Sequence, residues 1–326
     1  MTNMIQNTPL IKVQYQYKGK ISYFYTKLEF YQMTGSIKDR VAWYILQKAK
    51  EKGILQKGMP IIEATSGNTG IALAALGARE GHPVTIFMPN WASKERIELM
   101  KSYGAKVCLI SAEEGGFLAC VEQAKALAKE VNGFLANQFS NPDNILAHYE
   151  TTGKEIVEQV PESIGAFVSG VGTGGTLIGT GRRIKKAYPN AKIIALEPDS
   201  MPLLSGGKVT GAHKIEGIGD EFVPELVKKE EIDAILLIND EESIKIAQKI
   251  ATELGIGVGI SSGANALACI LAKETVAKED AIVTVFADDN KKYLSTDLGK
   301  TTSKTKSNIA NQIKFIKYDI IKETNY

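Results

Sequence analysis

Short apolar runs alternate with amphipathic stretches along most of the chain, and this alternation limits the fold more than any other feature of the sequence. Runs with the length of strands occur at 84–88 and 106–110, and helical patterns follow them at 93–103 and 117–131. The same alternation resumes between residues 164 and 286. Strands that are joined through helices form parallel sheets with helices on their faces. The sequence therefore predicts an α/β fold.

Length and composition narrow the class of protein. The 326 residues can fill one large or two ordinary domains, and a composition of 44% hydrophobic and 23% charged residues is that of a soluble globular protein. A formal net charge of +2, with the basic residues dispersed, argues against a nucleic-acid partner. No apolar run reaches the roughly eighteen residues of a membrane span, and residues 1–10 lack a signal-peptide pattern. We therefore expect a cytoplasmic protein without a membrane partner.

The cysteines and histidines do not form a recognisable ligand pattern. Cys108, Cys120 and Cys269 are widely spaced and include no Cys-x-x-Cys pair. The three histidines are equally scattered. We expect the cysteines to be small core residues, and neither a disulfide framework nor a metal site is predicted.

The segment 34–40, Thr-Gly-Ser-Ile-Lys-Asp-Arg, opens an apolar-periodic stretch that runs to about Gly53. Ser36 and Asp39 have the spacing of a capping box, so the pattern predicts a helix with Lys38 in its first turn. The partial positive charge of a helix N-terminus disfavours an ammonium group there. This position favours a nucleophilic or Schiff-base lysine, although the stretch taken alone is equally compatible with a solvated surface lysine.

The segment 65–70, Thr-Ser-Gly-Asn-Thr-Gly, lies between an apolar run at 60–64 and a helical pattern that begins at Ile71. Three hydroxyl groups and an amide are thereby placed at the positive end of a helix dipole, where a carboxylate binds well. A capped turn without a ligand is the alternative interpretation, but capping requires only one of these side chains.

The segment 170–176, Gly-Val-Gly-Thr-Gly-Gly-Thr, follows a predicted strand at 164–169 and precedes a helix from about Leu177 to Lys186. Its glycines allow the backbone N–H groups to close around an anion, and the helix points its positive end at the same place. The segment contains no Lys or Arg. A phosphate group held by backbone amides, Thr hydroxyls and the helix dipole is the predicted ligand.

Together these segments resemble the pyridoxal-phosphate enzymes of the cysteine synthase and cystathionine β-synthase family. Five motifs occur in the family's order between the N-terminus and about Leu298: Gly-Ser-Ile-Lys-Asp-Arg, Thr-Ser-Gly-Asn-Thr-Gly, Gly-Thr-Gly-Gly-Thr, Gly-Ile-Gly and Gly-Ile-Ser-Ser-Gly-Ala. The resemblance implies a tryptophan synthase β-like fold, in which two domains, each a mostly parallel twisted sheet flanked by helices, have the active site in the cleft between them.

The resemblance also implies domain boundaries. Residues 1–35 and 146–300 would form the large cofactor-binding domain, and residues 36–145 the small, mobile substrate domain. Residues 301–326 would be a C-terminal extension. Its residues 309–326 mix apolar residues and lysines without one clear period, so we expect them to pack on a partner subunit or to fray.

The resemblance assigns pyridoxal 5′-phosphate as the cofactor and gives several residues a role. Lys38 would form the internal aldimine and then move the Cα proton of the substrate. Asn68 would pair with the ring oxygen of the cofactor, and Ser261 would face its pyridine nitrogen. The phosphate group would be held by Gly172, Thr173, Gly174, Gly175 and Thr176. The amino-acid substrate would be bound by Thr65, Ser66, Gly67, Thr69, Gln138 and Gly217.

The neutral hydroxyl of Ser261 influences the type of reaction. It cannot keep the pyridine nitrogen protonated as a carboxylate would, so the ring becomes a weaker electron sink. Expulsion of a leaving group from Cβ is then favoured over reprotonation elsewhere. The expected reaction is a β-elimination to an α-aminoacrylate intermediate, followed by addition of a nucleophile.

One departure from the family pattern concerns the substrate. Cysteine synthases continue Gly217-Ile218-Gly219 with Ala-Gly-Phe, whereas this chain has Asp-Glu-Phe from Asp220. Asp220 could deprotonate water or a thiol that attacks Cβ, or it could be a solvated loop acid. With Asp220 as base, L-cysteine would be the substrate, hydrogen sulfide would leave, and water would give L-serine or a thiol would add. The alternative is an O-acetylserine sulfhydrylase that makes cysteine, because 197–198 and 204–208 resemble that branch.

Other readings of the motifs give different functions. Gly170-x-Gly172-x-x-Gly175 also satisfies a dinucleotide fingerprint, and Glu197 lies 22 residues after Gly175 (197 minus 175). A nicotinamide-dependent oxidoreductase, however, leaves Lys38 unexplained. An ammonia-lyase or racemase is disfavoured by Thr69, where those enzymes have His. A non-catalytic role through complex formation stays open. The resemblance implies a homodimer and allows a complex with serine acetyltransferase.

Overall fold

The computed structural model describes residue 5, residues 7–300 and residues 309–321. Within this part of the chain the strands, in order, are β1 (Leu10–Tyr17), β2 (Lys20–Leu28), β3 (Ile61–Ala64), β4 (Val84–Pro89), β5 (Lys106–Ile110), β6 (Phe134–Leu135), β7 (Ile164–Gly170), β8 (Lys192–Pro198), β9 (Ala234–Ile238), β10 (Ala281–Phe286) and β11 (Ile313–Ile321). The α-helices are α1 (Lys38–Glu51), α2 (Asn68–Glu80), α3 (Lys94–Ser102), α4 (Gly116–Glu130), α5 (Asp143–Ala147), α6 (Gly153–Gln159), α7 (Gly175–Ala187), α8 (Asp240–Leu254) and α9 (Ile260–Ala272).

The strands form two sheets. The larger sheet has the order β11-β1-β2-β10-β7-β8-β9, and the smaller one has the order β5-β4-β3-β6. All pairings in the smaller sheet are parallel, as are those from β2 through β10, β7 and β8 to β9. Only β1, which pairs with both β2 and β11, brings antiparallel pairings into the described sheets. The predicted α/β class with two mostly parallel sheets is confirmed.

Helices cover both faces of each sheet, which explains why the central strands are apolar on both sides. All six residues of β10 are buried. One face of the larger sheet packs on α8 and α9, and the other packs on α6 and α7. One face of the smaller sheet packs on α1, α2 and α3, and the other packs on α4. No described helix is both long enough and apolar enough to span a membrane.

The C-terminal extension differs from one of the two expectations. Residues 313–321 do not fray, because they form β11 and pair along the whole of β1. Ile313 and Phe315 are buried in the core of the larger sheet. The carboxylate of Glu253 in α8 accepts a hydrogen bond from the backbone N–H of Phe315 at 2.7 Å. Residues 301–308 and 322–326 of the predicted extension lie outside the described residues.

Candidate active site

Lys38 is the first residue of α1, and the chain before it is fixed to the larger sheet. The backbone N–H of Ile37 donates to the carbonyl of Ala287, just beyond β10, at 2.8 Å. The predicted capping box exists in a modified form. The Asp39 carboxylate accepts from the N–H of Ser36 at 3.3 Å, but Ser36 Oγ accepts from Lys38 and not from Asp39. These contacts place the Lys38 side chain at the carboxyl end of β10.

The glycine-rich segment 170–176 connects β7 to α7 and lines the same cavity as Lys38. A Cβ atom on Gly172 would lie 2.3 Å from the carbonyl oxygen of Gly217, so no larger residue fits there. Gly174 has a φ of +87°, which L side chains rarely adopt. The segment thus depends on its glycines to bring its backbone close to whatever occupies the cavity.

Several backbone donors of this segment are free to bind an anion. In the described part of the chain, no group accepts a hydrogen bond from the N–H of Gly172, Thr173, Gly174 or Thr176. These donors surround the N-terminus of α7, which adds its dipole. Unused N–H groups at a helix N-terminus form a binding site for a phosphate group.

The environment of Lys38 favours the neutral amine. The side chain keeps some surface towards the cavity, but protein surrounds it, and this burial lowers its pKa below the usual value of 10.5. The carboxylates of Asp220 and Asp288 act in the opposite direction. The direction agrees with the prediction made from the helix dipole, but burial is the main cause.

Ser261 and a residue that the sequence did not single out, Asn265, complete this cavity. Both lie in α9, Ser261 in its first turn. The Asn265 side chain accepts from the N–H of Gly170 at 2.9 Å and donates to the carbonyl of Val285 at 2.8 Å. It therefore ties the ends of β7 and β10 together beneath the glycine-rich segment.

The segment 65–70 contributes to the opposite wall of the cleft, from the smaller sheet. Ser66 lines a second, larger cavity of about 690 Å³. Thr69 Oγ1 donates to the side-chain oxygen of Gln138 at 2.6 Å, and the Gln138 amide donates to the carbonyl of Ala64 at 3.0 Å. Two of the predicted substrate-binding residues are therefore in direct contact. Thr65 lies at the base of this turn, where its hydroxyl accepts from the N–H of Gly67 at 3.1 Å.

Asn68 belongs to a buried cluster that sequence analysis missed. Its side-chain nitrogen donates to Asp288 Oδ2 at 2.7 Å, and Tyr293 Oη donates to the same oxygen at 2.6 Å. The guanidinium of Arg96 stacks 4.5 Å from the centroid of the Tyr293 ring and forms an ion pair with Glu216. The cluster joins α2, α3 and the loop before Gly217, which come from distant parts of the sequence.

His148 is a second missed residue. It lies in a π-helical turn, His148–Thr152, between α5 and α6. Its Nε2 is 3.2 Å from Oγ1 of Thr176 in the glycine-rich segment, and its Nδ1 is 3.0 Å from Oγ1 of Thr152. Because burial lowers the pKa of His148 well below its usual value, the ring is neutral at physiological pH. The Thr176 hydroxyl therefore has an uncharged hydrogen-bond partner in His148.

Asp220 lines the larger cavity, together with Ser66 and Gly217. Burial raises the pKa of Asp220 to about 6, while nearby His213 and Lys38 lower it and Glu221 raises it. Gly217 also lines the cavity of Lys38, so the two cavities adjoin at this residue. The structure brings Lys38, the glycine-rich segment, Ser261 and Asp220 into one cleft.

The residues present fit pyridoxal phosphate. The glycine-rich segment offers unused donors for a phosphate group, and Lys38 offers an amine with a lowered pKa for an aldehyde. Asn68 Oδ1 is buried and has no hydrogen-bond partner among the described residues. Because such a buried polar atom is costly, a ligand at this position is expected.

Comparison with known proteins defines the class. Residues 1–288 match the family model described as pyridoxal-phosphate dependent enzyme. The chain therefore belongs to this family. The predicted cofactor and the predicted enzyme class are confirmed.

Individual relatives define the branch within that family. The chain is 40% identical over 299 residues to a cysteine synthase of Staphylococcus aureus, a match that covers 91% of this chain and 96% of the relative. A hydrogen sulfide-producing enzyme from Fusobacterium nucleatum is 48% identical, with a TM-score of 0.92 over 96% of this chain and 95% of that one. A cysteine synthase from Entamoeba histolytica is 38% identical, with a TM-score of 0.84 over 93% and 90% of the two chains. The reaction class is pyridoxal-phosphate-dependent β-replacement or β-elimination.

In the dinucleotide-binding alternative, Glu197 was the acidic residue expected to bind the ribose. The buried carboxylate of Glu197 accepts hydrogen bonds from the backbone N–H groups of Leu204 at 2.7 Å and Ser205 at 2.9 Å. Glu197 therefore holds a loop, and both its oxygens are occupied. Together with family membership, this contact excludes the ribose-binding role that the fingerprint suggested.

Proposed function

We propose that the chain acts on L-cysteine, releases hydrogen sulfide, and adds water at Cβ to give L-serine, with addition of a thiol as a second outcome. The observation that carries this proposal is the position of Asp220, an ionisable carboxylate on the wall of the cavity that adjoins Lys38. Similarity to a hydrogen sulfide-producing enzyme also supports it.

The residues of the cleft have two kinds of role, which are binding and proton transfer. Pyridoxal phosphate, when bound, withdraws electrons from Cα of the amino acid so that the Cα proton and a group on Cβ can leave. Lys38 Nζ holds the cofactor and moves the Cα proton, and burial assists this task because it lowers the pKa of the amine. The segment 172–176 binds the phosphate, mainly through the free amides of Gly172, Thr173, Gly174 and Thr176. Ser261 accepts or donates at the ring nitrogen. Thr65, Ser66, Gly67, Thr69, Gln138 and Gly217 bind the substrate.

Asp220 supplies the base for the second half of the reaction. Its pKa of about 6 leaves the carboxylate mainly ionised at neutral pH yet basic enough to take a proton from an attacking water or thiol. Cysteine synthases that use sulfide, a nucleophile already ionised near neutral pH, do not require such a group. The carboxylate is thus a reason to favour water over sulfide as the nucleophile.

The second candidate is an O-acetylserine sulfhydrylase that makes L-cysteine. The 40% identity to a curated cysteine synthase over nearly the whole length of that protein favours it. The same cleft and cofactor serve both reactions, so the two candidates differ in the leaving group and the nucleophile.

A product analysis separates the candidates. Incubation of the purified protein with L-cysteine alone should release one sulfide for each L-serine formed, and one for each lanthionine if cysteine itself is the attacking thiol. Asp220→Asn should reduce serine formation by about 10²-fold, the range of a positioned base. Glu225→Gln, an exposed acid further along the same segment, should leave it unchanged. Rapid cysteine synthesis from O-acetylserine and sulfide, with little turnover of cysteine, would favour the second candidate.

We further propose how the protein is organised in the cell. Residues 1–35 and 146–300 act as the large cofactor-binding domain and residues 36–145 as a small domain that moves over the substrate. The resemblance to the cysteine synthase branch supports a cytoplasmic homodimer and a complex with serine acetyltransferase. Light scattering of the purified protein, alone and with that acetyltransferase, tests both assemblies.

A further inference from the structure

His213 lies beside Asp220 and has no role in the mechanism so far. It belongs to the loop between β8 and β9 and lines the larger cavity together with Asp220. Its Nε2 is 2.6 Å from the carbonyl oxygen of Gly219. Because a carbonyl oxygen only accepts hydrogen bonds, Nε2 carries the proton and donates.

The contact from His213 completes a clamp on the residue before Asp220. The N–H of Gly219 donates to the carbonyl of Val171, at the start of the glycine-rich segment, at 2.9 Å. Gly219 has a φ of +70°, and a Cβ atom there would lie 2.7 Å from Pro198 and 3.0 Å from His213 Nε2. Both polar groups of Gly219 are therefore fixed, and this sets the direction in which the Asp220 side chain leaves the backbone.

We propose that His213 is a positioning residue for Asp220: it donates from Nε2 to the Gly219 carbonyl and so holds the Asp220 carboxylate against the cavity. This inference rests on the proposed role of Asp220 as base. Besides His213, the charged groups that face Asp220 are Lys38 and Glu221. Neither of these contacts the Gly219 carbonyl, so the clamp depends on the imidazole.

The clamp requires a hydrogen-bond donor at the position of His213 Nε2. Only the Nε2 donor is used, because Nδ1 is buried and has no hydrogen-bond partner among the described residues. A glutamine side chain places an N–H near the position of Nε2, whereas an asparagine is too short to do so. His213→Gln should therefore preserve the clamp, and His213→Asn and His213→Ala should lose it.

The kinetic test uses the holoenzyme with L-cysteine. His213→Ala and His213→Asn should lower kcat for serine formation by about ten-fold or more, part of what a positioned base contributes, with KM within about two-fold. His213→Gln should restore most of kcat, and Lys208→Ala, an exposed residue of the same loop, should have no effect. In an Asp220→Asn background, His213→Ala should have little further effect. Equal losses in the Gln and Ala variants, or losses that add to that of Asp220→Asn, would overturn the proposal.

A structural test is independent of the reaction. In crystals of the His213→Ala holoenzyme the Asp220 carboxylate should turn away from the cavity, and in His213→Gln it should keep its place. If the wild type forms no serine, the proposed function fails, and these crystals alone decide the role of His213. An unchanged Asp220 in His213→Ala would refute it.

Discussion

Lys38 lies where an ammonium group is unfavourable, and the structure identifies the reason. The sequence predicted a lowered pKa from the position of Lys38 in the first turn of a helix. The helix does begin at this residue, but burial has the larger effect. Burial could not be predicted from the local pattern, because the groups around Lys38 come from segments as distant as Asp220 and Asp288. A local motif indicates which residue reacts, whereas the tertiary structure determines its pKa.

The pH dependence of serine formation tests the role of Asp220. A carboxylate acts as a base only when deprotonated, and burial raises the pKa of Asp220 to about 6. Activity should therefore be present above about pH 6 and fall as the pH drops through that value. The measurement is kcat against pH for the wild type and for Asp220→Asn. The acidic limb should be absent from the residual activity of the variant, and an identical limb in both proteins would assign it to another group.

The proposed binding of the phosphate group by the glycine-rich segment 170–176 can be tested by adding a single methyl group. Gly172→Ala places a Cβ atom only 2.3 Å from the carbonyl oxygen of Gly217. The glycine-rich segment and the loop that contains Gly217 must therefore separate. The affinity for pyridoxal phosphate should fall by at least about ten-fold, or ~1.4 kcal/mol. Titration of the apoenzyme, followed through the absorbance of the bound cofactor, measures this loss.

The matched control is Gly211→Ala. A Cβ atom at Gly211 meets nothing within 4 Å, so cofactor affinity should not change. Equal affinities of the two variants would show that the approach of Gly172 to Gly217 has no part in cofactor binding.

At the scale of elements, α1 connects the two sheets. Val41 and Ile45 pack in the core of the smaller sheet. The first turn instead faces the larger sheet, where Arg40 pairs with Glu29 and Glu155 at 2.6 Å each. Arg40 and Glu29 have no exposed side-chain surface. This buried network anchors the helix that carries Lys38.

Removal of the Arg40 charge should destabilise the fold. Arg40→Met leaves the carboxylates of Glu29 and Glu155 buried with less compensation, which costs about 3–5 kcal/mol. Urea unfolding followed by circular dichroism measures the free energy of unfolding. Lys48→Met, which removes an exposed pair with Glu51 on the same helix, should cost no more than about 0.5 kcal/mol. Equal effects of the two substitutions would contradict an anchoring role.

At the edge of the larger sheet, the sequence pattern did not indicate the strand that the structure contains. β11 was not predicted because a register shift, opposite Gln14 and Tyr15 of β1, interrupts its alternation of buried and exposed residues. Ile313 and Phe315 are buried, but Ile316, Tyr318 and Ile320 after the shift are exposed. A strand with a bulge has no single period, so its sequence resembles an irregular tail.

For the whole molecule, the alternation of strands and helices was sufficient to predict parallel strands covered by helices, whereas the division into two sheets followed from the family resemblance. The three glycine- and hydroxyl-containing segments were also recognisable, because each joins a strand to a helix and so lies at the carboxyl edge of a sheet. The contacts of Asp288, Arg96 and His148 were not. The hydrogen bond from Asn68 to Asp288, for example, spans 220 residues. No periodicity or spacing in one sequence encodes such a contact.

We propose that this cleft, with Asp220 on its wall, adds water to Cβ of L-cysteine. The most direct test is to incubate the holoenzyme with L-cysteine in water enriched in oxygen-18 and to analyse the products by mass spectrometry. L-Serine should form with the heavy isotope in its hydroxyl group, and an equal amount of sulfide should be released. Release of sulfide without labelled serine, or no reaction of cysteine in a protein that makes cysteine from O-acetylserine and sulfide, would contradict it.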